Sequence, residues 1–376
     1  MKKVFRWLVA LLLLPILLTC MIVLALYTPP VQQWGAQWGA QWLHEHTGYG
    51  ITFDRVRVGF PLRLQAEGLY LTRDADTLVS VERVRTDMLP RMLYKGYASL
   101  PYLQIDGATV HTGTWMTDMQ IEASVHHLRL EEVMYRWKQR TLQLADINVK
   151  DAEVAITQST TTKRDSTSKA TLPLSVCTEN ARIAHIGVRY RTPGWELSSR
   201  AQALSLERVA ADTSAAMQLH SAVLQEGTLL LTAGRREQVK LSSISLHADS
   251  LSAAAGGMSG ILRQLTLSES GGLTLEDAKA RVDIGRDRVR VPYFTLRTEN
   301  SDISGYLHTS KDKTREVDGY VAGMVGHADI LHLSALYPPR VAELLTLFPA
   351  VPLSFEVAVE GPLEALQLNR CHVASP

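Results

Sequence analysis

Residues 51–71 read ITFDRVRVGFPLRLQAEGLYL, and this stretch decides the fold class. Apolar side chains occupy every second position at Val56, Val58, Leu62 and Leu64, and arginine separates several of them. A period of two is the repeat of a β-strand that has one apolar face and one wet face. The stretch therefore predicts antiparallel strands rather than a buried parallel sheet.

The same alternation continues through most of the chain after residue 50. It recurs at Leu103 and Ile105, at Leu142 and Leu144, and again in 353–359. Gly, Asn and Asp punctuate the ends of these segments, as they do between strands. The pattern predicts a mainly β protein, with on the order of 20 strands in one elongated, curled antiparallel sheet. No fixed short period repeats, which disfavours a propeller or a leucine-rich solenoid.

The N-terminus carries a long apolar run. Residues 7–27 read WLVALLLLPILLTCMIVLALY and contain no charge. About 20 apolar residues are enough to cross a bilayer as a helix, whereas a cleavable signal has a shorter apolar region. Residues 1–28 are therefore predicted to be a retained, single-pass transmembrane anchor. Lys2, Lys3 and Arg6 precede the run and predict a cytoplasmic N-terminus, with the body on the opposite side of the membrane.

Aromatic residues mark the two ends of this run. Trp7 and Tyr27 stand where the headgroup layers of a bilayer would lie, a zone in which amphipathic rings are enriched. Two alternatives remain for the run, namely a cleaved signal peptide and a lipoprotein lipidated at Cys20. Both alternatives would also export the body.

Residues 29–48 are predicted to form an amphipathic helix rich in tryptophan. Trp34, Trp38 and Trp42 recur at a spacing of four, which places them on one helical face, while glutamines occupy the opposite face. Gly48 is a plausible C-terminal stop. Such a helix lies near a membrane surface or covers the end of a sheet. Alternatively, its tryptophan face packs on the core of the domain that follows.

One internal segment differs in composition from the rest of the body. In 157–171, nine of fifteen residues are Ser or Thr and no apolar stripe is present, so a flexible surface loop is predicted. The loop divides the body into a first β segment, 49–156, and a second, 172–376. The second segment includes a helix predicted near 334–348.

Composition and motifs give no sign of catalytic chemistry. Phosphate-binding loops, Gly-x-Ser-x-Gly elbows and His-Glu-x-x-His sequences are absent. The three cysteines, Cys20, Cys177 and Cys371, form no CxxC pair, although a Cys177–Cys371 disulfide is an open alternative. Charge nearly cancels, with 39 Lys plus Arg against 38 Asp plus Glu, which gives no support for a nucleic-acid surface. We therefore predict no enzymatic activity, catalytic residue, cofactor, metal site or nucleic-acid partner.

Four segments resemble a known family, and they follow one another in that family's order. They are TGYGITFDRVRVGFPLRLQAEGLYL (47–71), LPYLQIDGATVH (100–111), VPYFTLRTENSDISGYLH (291–308) and VAVEGPLEALQL (357–368). With the N-terminal run and the helix after it, this order resembles the N-terminal part of the AsmA-like and TamB envelope proteins of diderm bacteria. Those proteins are in turn similar to the chorein-type bridge lipid-transfer proteins.

The resemblance carries expectations about fold, location and function. It implies a repeating β-groove, apolar inside and polar outside, on a body that lies in the periplasm and is anchored in the bacterial inner membrane. It implies a role in outer-membrane biogenesis, with phospholipid transport between membranes as the leading function. The implied partners are the inner membrane, phospholipid and an outer-membrane β-barrel assembly protein.

Eight apolar residues are candidates for the lining of such a groove. Their alternative role is the packed core of a closed sandwich. The candidates are Val56, Val58, Leu62, Leu64, Leu103, Ile105, Leu142 and Leu144. Two further function classes stay open: a scaffold or assembly factor for outer-membrane proteins that carries no lipid, and an exported binding or adhesion module.

Overall fold

A computed structural model describes residues 27–59, 62–73, 76–88, 96–112, 119–158, 174–233, 236–310, 316–334, 351–362 and 365–374. Within these ranges the chain forms one long, curled β-sheet of 17 strands, accompanied by two helices. The prediction of a mainly β protein built on one extended sheet is confirmed, and the strand count lies close to the expected one.

The helices and strands follow in this order along the chain. Helix α1 spans Pro29–Thr47 and precedes the sheet, and helix α2 spans His327–Ser334 between the fifteenth and sixteenth strands. The strands are β1 (Gly50–Gly59), β2 (Arg63–Arg73), β3 (Asp76–Asp87), β4 (Ala98–His111), β5 (Met119–Arg136), β6 (Thr141–Gln158), β7 (Ser175–Arg191), β8 (Trp195–Ala211), β9 (Met217–Ala233), β10 (Arg236–Ala254), β11 (Gly257–Glu269), β12 (Thr274–Gly285), β13 (Arg288–Thr298), β14 (Asp302–Ser310), β15 (Glu316–Val325), β16 (Leu353–Pro362) and β17 (Gln367–Ala374).

Each strand pairs with the next one in sequence, so the order in the sheet follows the order in the chain. The pairs are antiparallel, with one departure from the expectation: β6 and β7 run parallel, with Thr141 opposite Ser175 and Thr157 opposite Arg191. A parallel pair needs a connection that returns along the strand before the next strand can start. The two predicted β segments are thereby joined side by side in one sheet.

The strands keep an apolar face and a polar face over their whole length, but the alternation changes phase inside them. On β6 the apolar positions change from 147 and 149 to 152 and 154, and Asp151 between them has φ of 54°. Gly68 on β2 and Gly107 on β4 take the same left-handed conformation, with φ of 60° and 62°. A Cβ at Gly107 would lie 2.4 Å from the Glu82 carboxyl carbon, so a larger residue there would have to displace the Glu82 side chain as well as hold a left-handed backbone.

Helix α1 begins and ends with recognisable signals. Pro29 and Pro30 occupy its first positions, where a missing N–H costs nothing. Gly48 adopts φ of 74° and donates its N–H to the carbonyl of His44 at 2.9 Å. The predicted helix over 29–48 is therefore confirmed, since glycine closes it in the left-handed conformation that favours this residue.

Helix α2 is fixed to the turn between β13 and β14 by a buried carboxylate. Asp329 lies in its first turn and is 5% exposed. Its Oδ2 accepts hydrogen bonds from the hydroxyls of Thr298 and Ser301, and Ser301 in turn accepts one from the N–H of Gly326 at 3.0 Å. These bonds satisfy a carboxylate that burial would otherwise penalise.

Several sequence predictions fall partly or wholly outside the described residues. They are the apolar run as far as residue 26, including Trp7 and Cys20, the segment 159–171, and most of the helix predicted near 334–348. Thr157, placed at the start of the predicted loop, belongs to β6, and Ser334 is the last residue of α2.

Candidate functional site

One face of the sheet carries a continuous line of uncharged, mostly apolar residues across all 17 strands. Residues that lie directly opposite each other on neighbouring strands share a face. We call this line the apolar row, and it consists of Val58, Leu64, Thr86, Leu103, Leu130, Ile147, Ala181, Leu206, Ala222, Ala248, Leu262, Ala280, Phe294, Gly305, Val321, Val357 and Cys371.

A second line runs beside the first over eleven strands. It contains Val56, Ala66, Val84, Ile105, Leu128, Val149, Ile183, Leu204, Leu224, Leu246 and Leu265. Thr86 is the one hydroxyl in the two lines, and its Oγ1 donates to the carbonyl of Tyr102 at 2.6 Å. With that bond made, it offers no free donor to the apolar face.

The large side chains of the two lines are mostly half-buried. Among the described residues no large side chain is fully buried, and most members of the two lines are half-buried. The members that are deeply buried are mostly small, such as Ala66, Ala222 and Ala248 at 6% exposed. A closed sandwich would instead cover its large apolar residues on both inner faces. Among the described residues, the large members of the two lines therefore lack the full cover that a closed sandwich would give them.

A cleft deepens the apolar face at one place, over β9 to β12. Its volume is about 530 Å³, and its lining is almost entirely apolar. The walls include Leu219, Leu246, Leu251, Leu262, Val282 and Ile284. Met217 and Met258 stand exposed at its margin. Flexible methionine side chains suit a surface that has to fit apolar partners of different shape.

The structure brings five of the eight groove candidates into the two lines. Val58, Leu64 and Leu103 belong to the apolar row, while Val56 and Ile105 belong to the second line. The remaining three lie elsewhere. Leu142 is opposite Tyr135 and Val176, and Leu144 is opposite Thr178, so both extend the register towards the other end of β6. Leu62 precedes β2 in a turn, where its carbonyl accepts a hydrogen bond from Met88 at 3.0 Å.

The residues one position along each strand make the opposite face polar. Arg57, Gln65, Arg85, Gln104, Arg129, Asn148 and Arg182 lie in direct register across β1 to β7. Neutral amides separate the guanidinium groups, which avoids like charges on adjacent strands. Ion pairs such as Arg129 with Glu131, at 2.8 Å, lie on this side. The sheet is therefore amphipathic, with charge and water on one side and hydrocarbon on the other.

A histidine and an aspartate pair on the polar face. Asp106 on β4 lies opposite His127 on β5, and Asp106 Oδ1 is 2.7 Å from His127 Nδ1. Partial burial acts to raise the pKa of Asp106, but hydrogen bonds from His127 and Gln104 outweigh it, so the pKa lies below its usual value. The pair links two neighbouring strands. With its pKa lowered, Asp106 is a carboxylate at neutral pH and does not act as a proton donor there.

Ser221, His247 and Asp249 form the arrangement closest to a catalytic triad. His247 Nε2 is 3.5 Å from Ser221 Oγ and 3.1 Å from Asp249 Oδ1. A triad uses the two ring nitrogens separately, one for the nucleophile and one for the carboxylate. Here the same nitrogen faces both groups, which is the geometry of a surface hydrogen-bond cluster. Within the described ranges no three His, Cys, Asp or Glu residues are placed to share one metal ion.

The cysteines within the described ranges are free thiols. Cys177 lies on β7 and Cys371 on β17, with many strands between them, and neither is in a disulfide. The alternative of a Cys177–Cys371 disulfide is wrong for this structure, since bridged cysteines must have Cα atoms within about 7 Å.

Helix α1 turns its tryptophan face away from the sheet. Trp34, Trp38 and Trp42 are 69%, 64% and 51% exposed. The opposite side carries half-buried residues and contacts β1. Of the two predicted placements, the helix covers the end of the sheet, and its tryptophans do not pack on the core.

Gln32 is the site residue that the sequence did not single out. Its Nε2 donates to the carbonyl of Val58 at 2.7 Å, and its Oε1 accepts the N–H of Val58 at 2.9 Å. The amide thus stands where a neighbouring strand would bond to β1. The helical pattern placed Gln32 on the face opposite the tryptophans, but glutamines on a helix surface usually face water.

The chain matches no protein-family model, no curated protein and no solved structure in comparisons with all three. Across the described residues, neither helix has the length and apolar character needed to cross a membrane. Of the predicted span over residues 7–27, Tyr27 alone is described.

Proposed function

We propose that the protein shields phospholipid acyl chains along the apolar face of its sheet. In this proposal the sheet is a β-groove, held in the bacterial inner membrane by the N-terminal anchor, with the body in the periplasm. The observation that carries the proposal is the apolar row, which runs without a charged residue across 17 strands. Most of its members are only half-buried by the described residues. Its continuity offers one uninterrupted apolar path.

The energetic argument rests on the cost of exposing hydrocarbon to water. Burial contributes about 0.8 kcal/mol per methylene, so a chain of about 16 carbons costs roughly 12–13 kcal/mol to expose. Neighbouring strands lie about 4.8 Å apart. At each such step along the sheet, half-buried leucines and valines can contact the acyl chain and keep it out of water. Lipid headgroups would remain at the rim in water. No catalytic group is needed for such a path.

The resemblance to AsmA-like and TamB proteins supports the location and the biological role. It favours transport of phospholipid between the inner and outer membranes as part of outer-membrane biogenesis. A scaffold for outer-membrane protein assembly would use the same sheet without bound lipid. The presence or absence of lipid on the apolar face therefore separates the two functions.

The test compares variants on opposite faces of the same strands. The full chain is purified in mild detergent, and bound phospholipid is counted by native mass spectrometry and lipid extraction. Glutamate at Leu64 and Leu144 places a carboxylate on the apolar face, whereas glutamate at Gln65 and Gln143 places it one residue away. We expect Leu64→Glu with Leu144→Glu to lose bound phospholipid, because a carboxylate beside hydrocarbon is strongly unfavourable.

The control pair, Gln65→Glu with Gln143→Glu, is expected to retain the lipid of the parent protein. Circular dichroism and thermal unfolding establish that all variants keep the sheet. If the two double variants carry equal amounts of phospholipid, the apolar face is not the site that holds the lipid. A parent protein that carries no lipid would favour the scaffold.

A further inference from the structure

Helix α1 presents three exposed indoles on one face and a hydrogen-bonded contact on the other. Trp34, Trp38 and Trp42 point away from the sheet, at half to two-thirds exposed. On the opposite face Gln32, Ala36 and the small residues near them are half-buried against β1. A folded protein that leaves three adjacent tryptophans in water pays a large hydration cost, so this face needs an occupant.

We infer that the occupant is the interfacial layer of a phospholipid bilayer. Indole rings combine an apolar body with an N–H donor, and this combination favours the headgroup region over both water and hydrocarbon. The uncharged run of residues 7–27 ends two positions before α1. A span in that run would deliver α1 to the membrane surface. Among the described residues, Trp34 and Trp38 are left 69% and 64% exposed.

The helix carries its apolar face without a basic face. From residue 29 to residue 47 there is no Lys or Arg, the one acidic residue is Glu45, and the other polar positions are glutamines, two histidines and Thr47. Membrane helices that depend on anionic lipid place Lys and Arg on the polar side. Docking of α1 therefore depends on indole insertion and is insensitive to the charge of the lipid headgroups.

The contact with β1 gives this docking a mechanical consequence. Gln32 bonds to both backbone groups of Val58, which is the first member of the apolar row. A helix held at the bilayer surface thereby holds the starting edge of the sheet there too. The apolar row then begins where acyl chains leave the membrane. The docking itself requires no lipid on the sheet, and only this last step rests on the proposed function.

The first experiment locates the tryptophan face. The full chain is reconstituted in phosphatidylcholine vesicles with six of its seven tryptophans changed to Phe, leaving Trp38. We expect lipids with a nitroxide near the headgroup to remove most of the Trp38 emission, and aqueous acrylamide to have little effect. The matched variant keeps only Trp195, which is also exposed but starts β8. Its emission should respond to acrylamide and ignore the nitroxide lipid.

Changing the charge of the lipid headgroups gives a second test with the same variants. Replacing part of the phosphatidylcholine with phosphatidylglycerol should leave the quenching of Trp38 unchanged. If Trp38 responds to acrylamide as strongly as Trp195 does, and ignores the nitroxide lipid, the interfacial assignment is overturned. Both readings are independent of whether phospholipid is found on the apolar face.

The second experiment tests the coupling through Gln32. A donor dye on Arg57→Cys, in a chain whose native cysteines are replaced, reports energy transfer to acceptor-labelled headgroups. We expect Gln32→Ala to reduce this transfer while Trp38 remains quenched, since the helix stays docked and β1 is released. Gln33→Ala is the matched control, because Gln33 is exposed on the same helix, and it should leave transfer unchanged. Unchanged transfer in Gln32→Ala would overturn the coupling.

Discussion

Val149 and Ala152 on β6 are three residues apart, yet each lies opposite a valine or leucine of β5 and continues the apolar side of the sheet. Val149 faces Leu128, and Ala152 faces Val125. Asp151 between them has φ of 54°, and one left-handed residue shifts the alternation by one position. Because β5 changes phase at the same place, the register is kept across the shift.

Left-handed residues recur along this line from strand to strand. They are Gly68, Gly107, Asp151, His185 and Glu226, on β2, β4, β6, β7 and β9. Bulge-like residues of this kind bend and twist a sheet locally. We interpret the line as the place where the sheet curls around its apolar side.

Glu226 gives the first prediction, since it holds φ of 50° without the freedom of glycine. A non-glycine residue in this conformation costs about 1 kcal/mol, and a β-branched residue costs more. Glu226→Val should therefore lower the free energy of unfolding by about 1–2 kcal/mol, whereas Glu226→Gly should leave it nearly unchanged. Thermal unfolding of the detergent-solubilised chain measures both.

The neighbouring residue supplies the control. Gln225 is also exposed but keeps an extended backbone opposite Ala203, so Gln225→Val should be tolerated. Equal destabilisation by valine at both positions would contradict the role of the left-handed conformation.

Gly35 gives a prediction about helix α1. It lies in the helix interior, and a Cβ added there would meet no atom within 4 Å. Glycine in a helix is less favourable than alanine by about 0.5–1 kcal/mol, so Gly35→Ala should slow hydrogen exchange across α1. The reverse change, Ala40→Gly, should speed it. Faster exchange in Gly35→Ala would show that this face needs a close partner.

Asp249 gives a prediction about acid stability. Its pKa lies below the usual 3.8 because Arg263 Nε donates a hydrogen bond to Oδ2 at 2.8 Å, an effect that partial burial opposes and His247 assists. A depressed carboxylate pKa contributes stability above pH 3.8, and this stability is lost as the pH falls through the lower folded-state pKa. On acidification below pH 3.8, the unfolding temperature of Asp249→Asn should therefore decrease by less than that of the parent protein.

An exposed carboxylate in the turn after β12 serves as the comparison. Asp287→Asn makes the same change from carboxylate to amide at an exposed position. The account of Asp249 is contradicted if acidification below pH 3.8 lowers the unfolding temperature of Asp249→Asn as much as that of the parent protein.

The sequence was sufficient to predict the strands because their repeat is local. The alternation in 51–71 predicts β1 and β2, and the register then places Val58 opposite Leu64. The tryptophan spacing of α1 and its stop at Gly48 are equally local and predicted the helix. Features of this kind depend on backbone geometry within a few residues.

The changes of phase in the apolar alternation could not be predicted from a local sequence pattern. Leu144 followed by Ile147, and Val149 followed by Ala152, look like interruptions of a strand when only alternation is counted. His185 gives no turn signal, and Asp151 would signal the end of a strand rather than a phase shift inside one, although both are left-handed. What holds them in place is pairing with strands on both sides, and this pairing is not local.

Two other features of the site depend on distant parts of the chain. The parallel pairing of β6 with β7 joins segments on either side of residues 159–174. Alternation predicts antiparallel strands in general, but it does not identify the single pair that runs parallel. The bond of Gln32 to Val58 spans 26 residues. A helical pattern can place a glutamine opposite a tryptophan face, but it cannot name the backbone that the amide will meet.

The central claim is that the apolar side of the sheet is open and holds lipid acyl chains. The most direct test places the photo-crosslinker p-benzoylphenylalanine at Leu130, a member of the apolar row, or at Arg129, its exposed neighbour on the polar face. The full chain is irradiated in living cells, and adducts are identified by mass spectrometry. The account predicts phospholipid adducts at position 130 and none at position 129. Adducts at both positions equally, or at position 130 only with other parts of the chain itself, would contradict it.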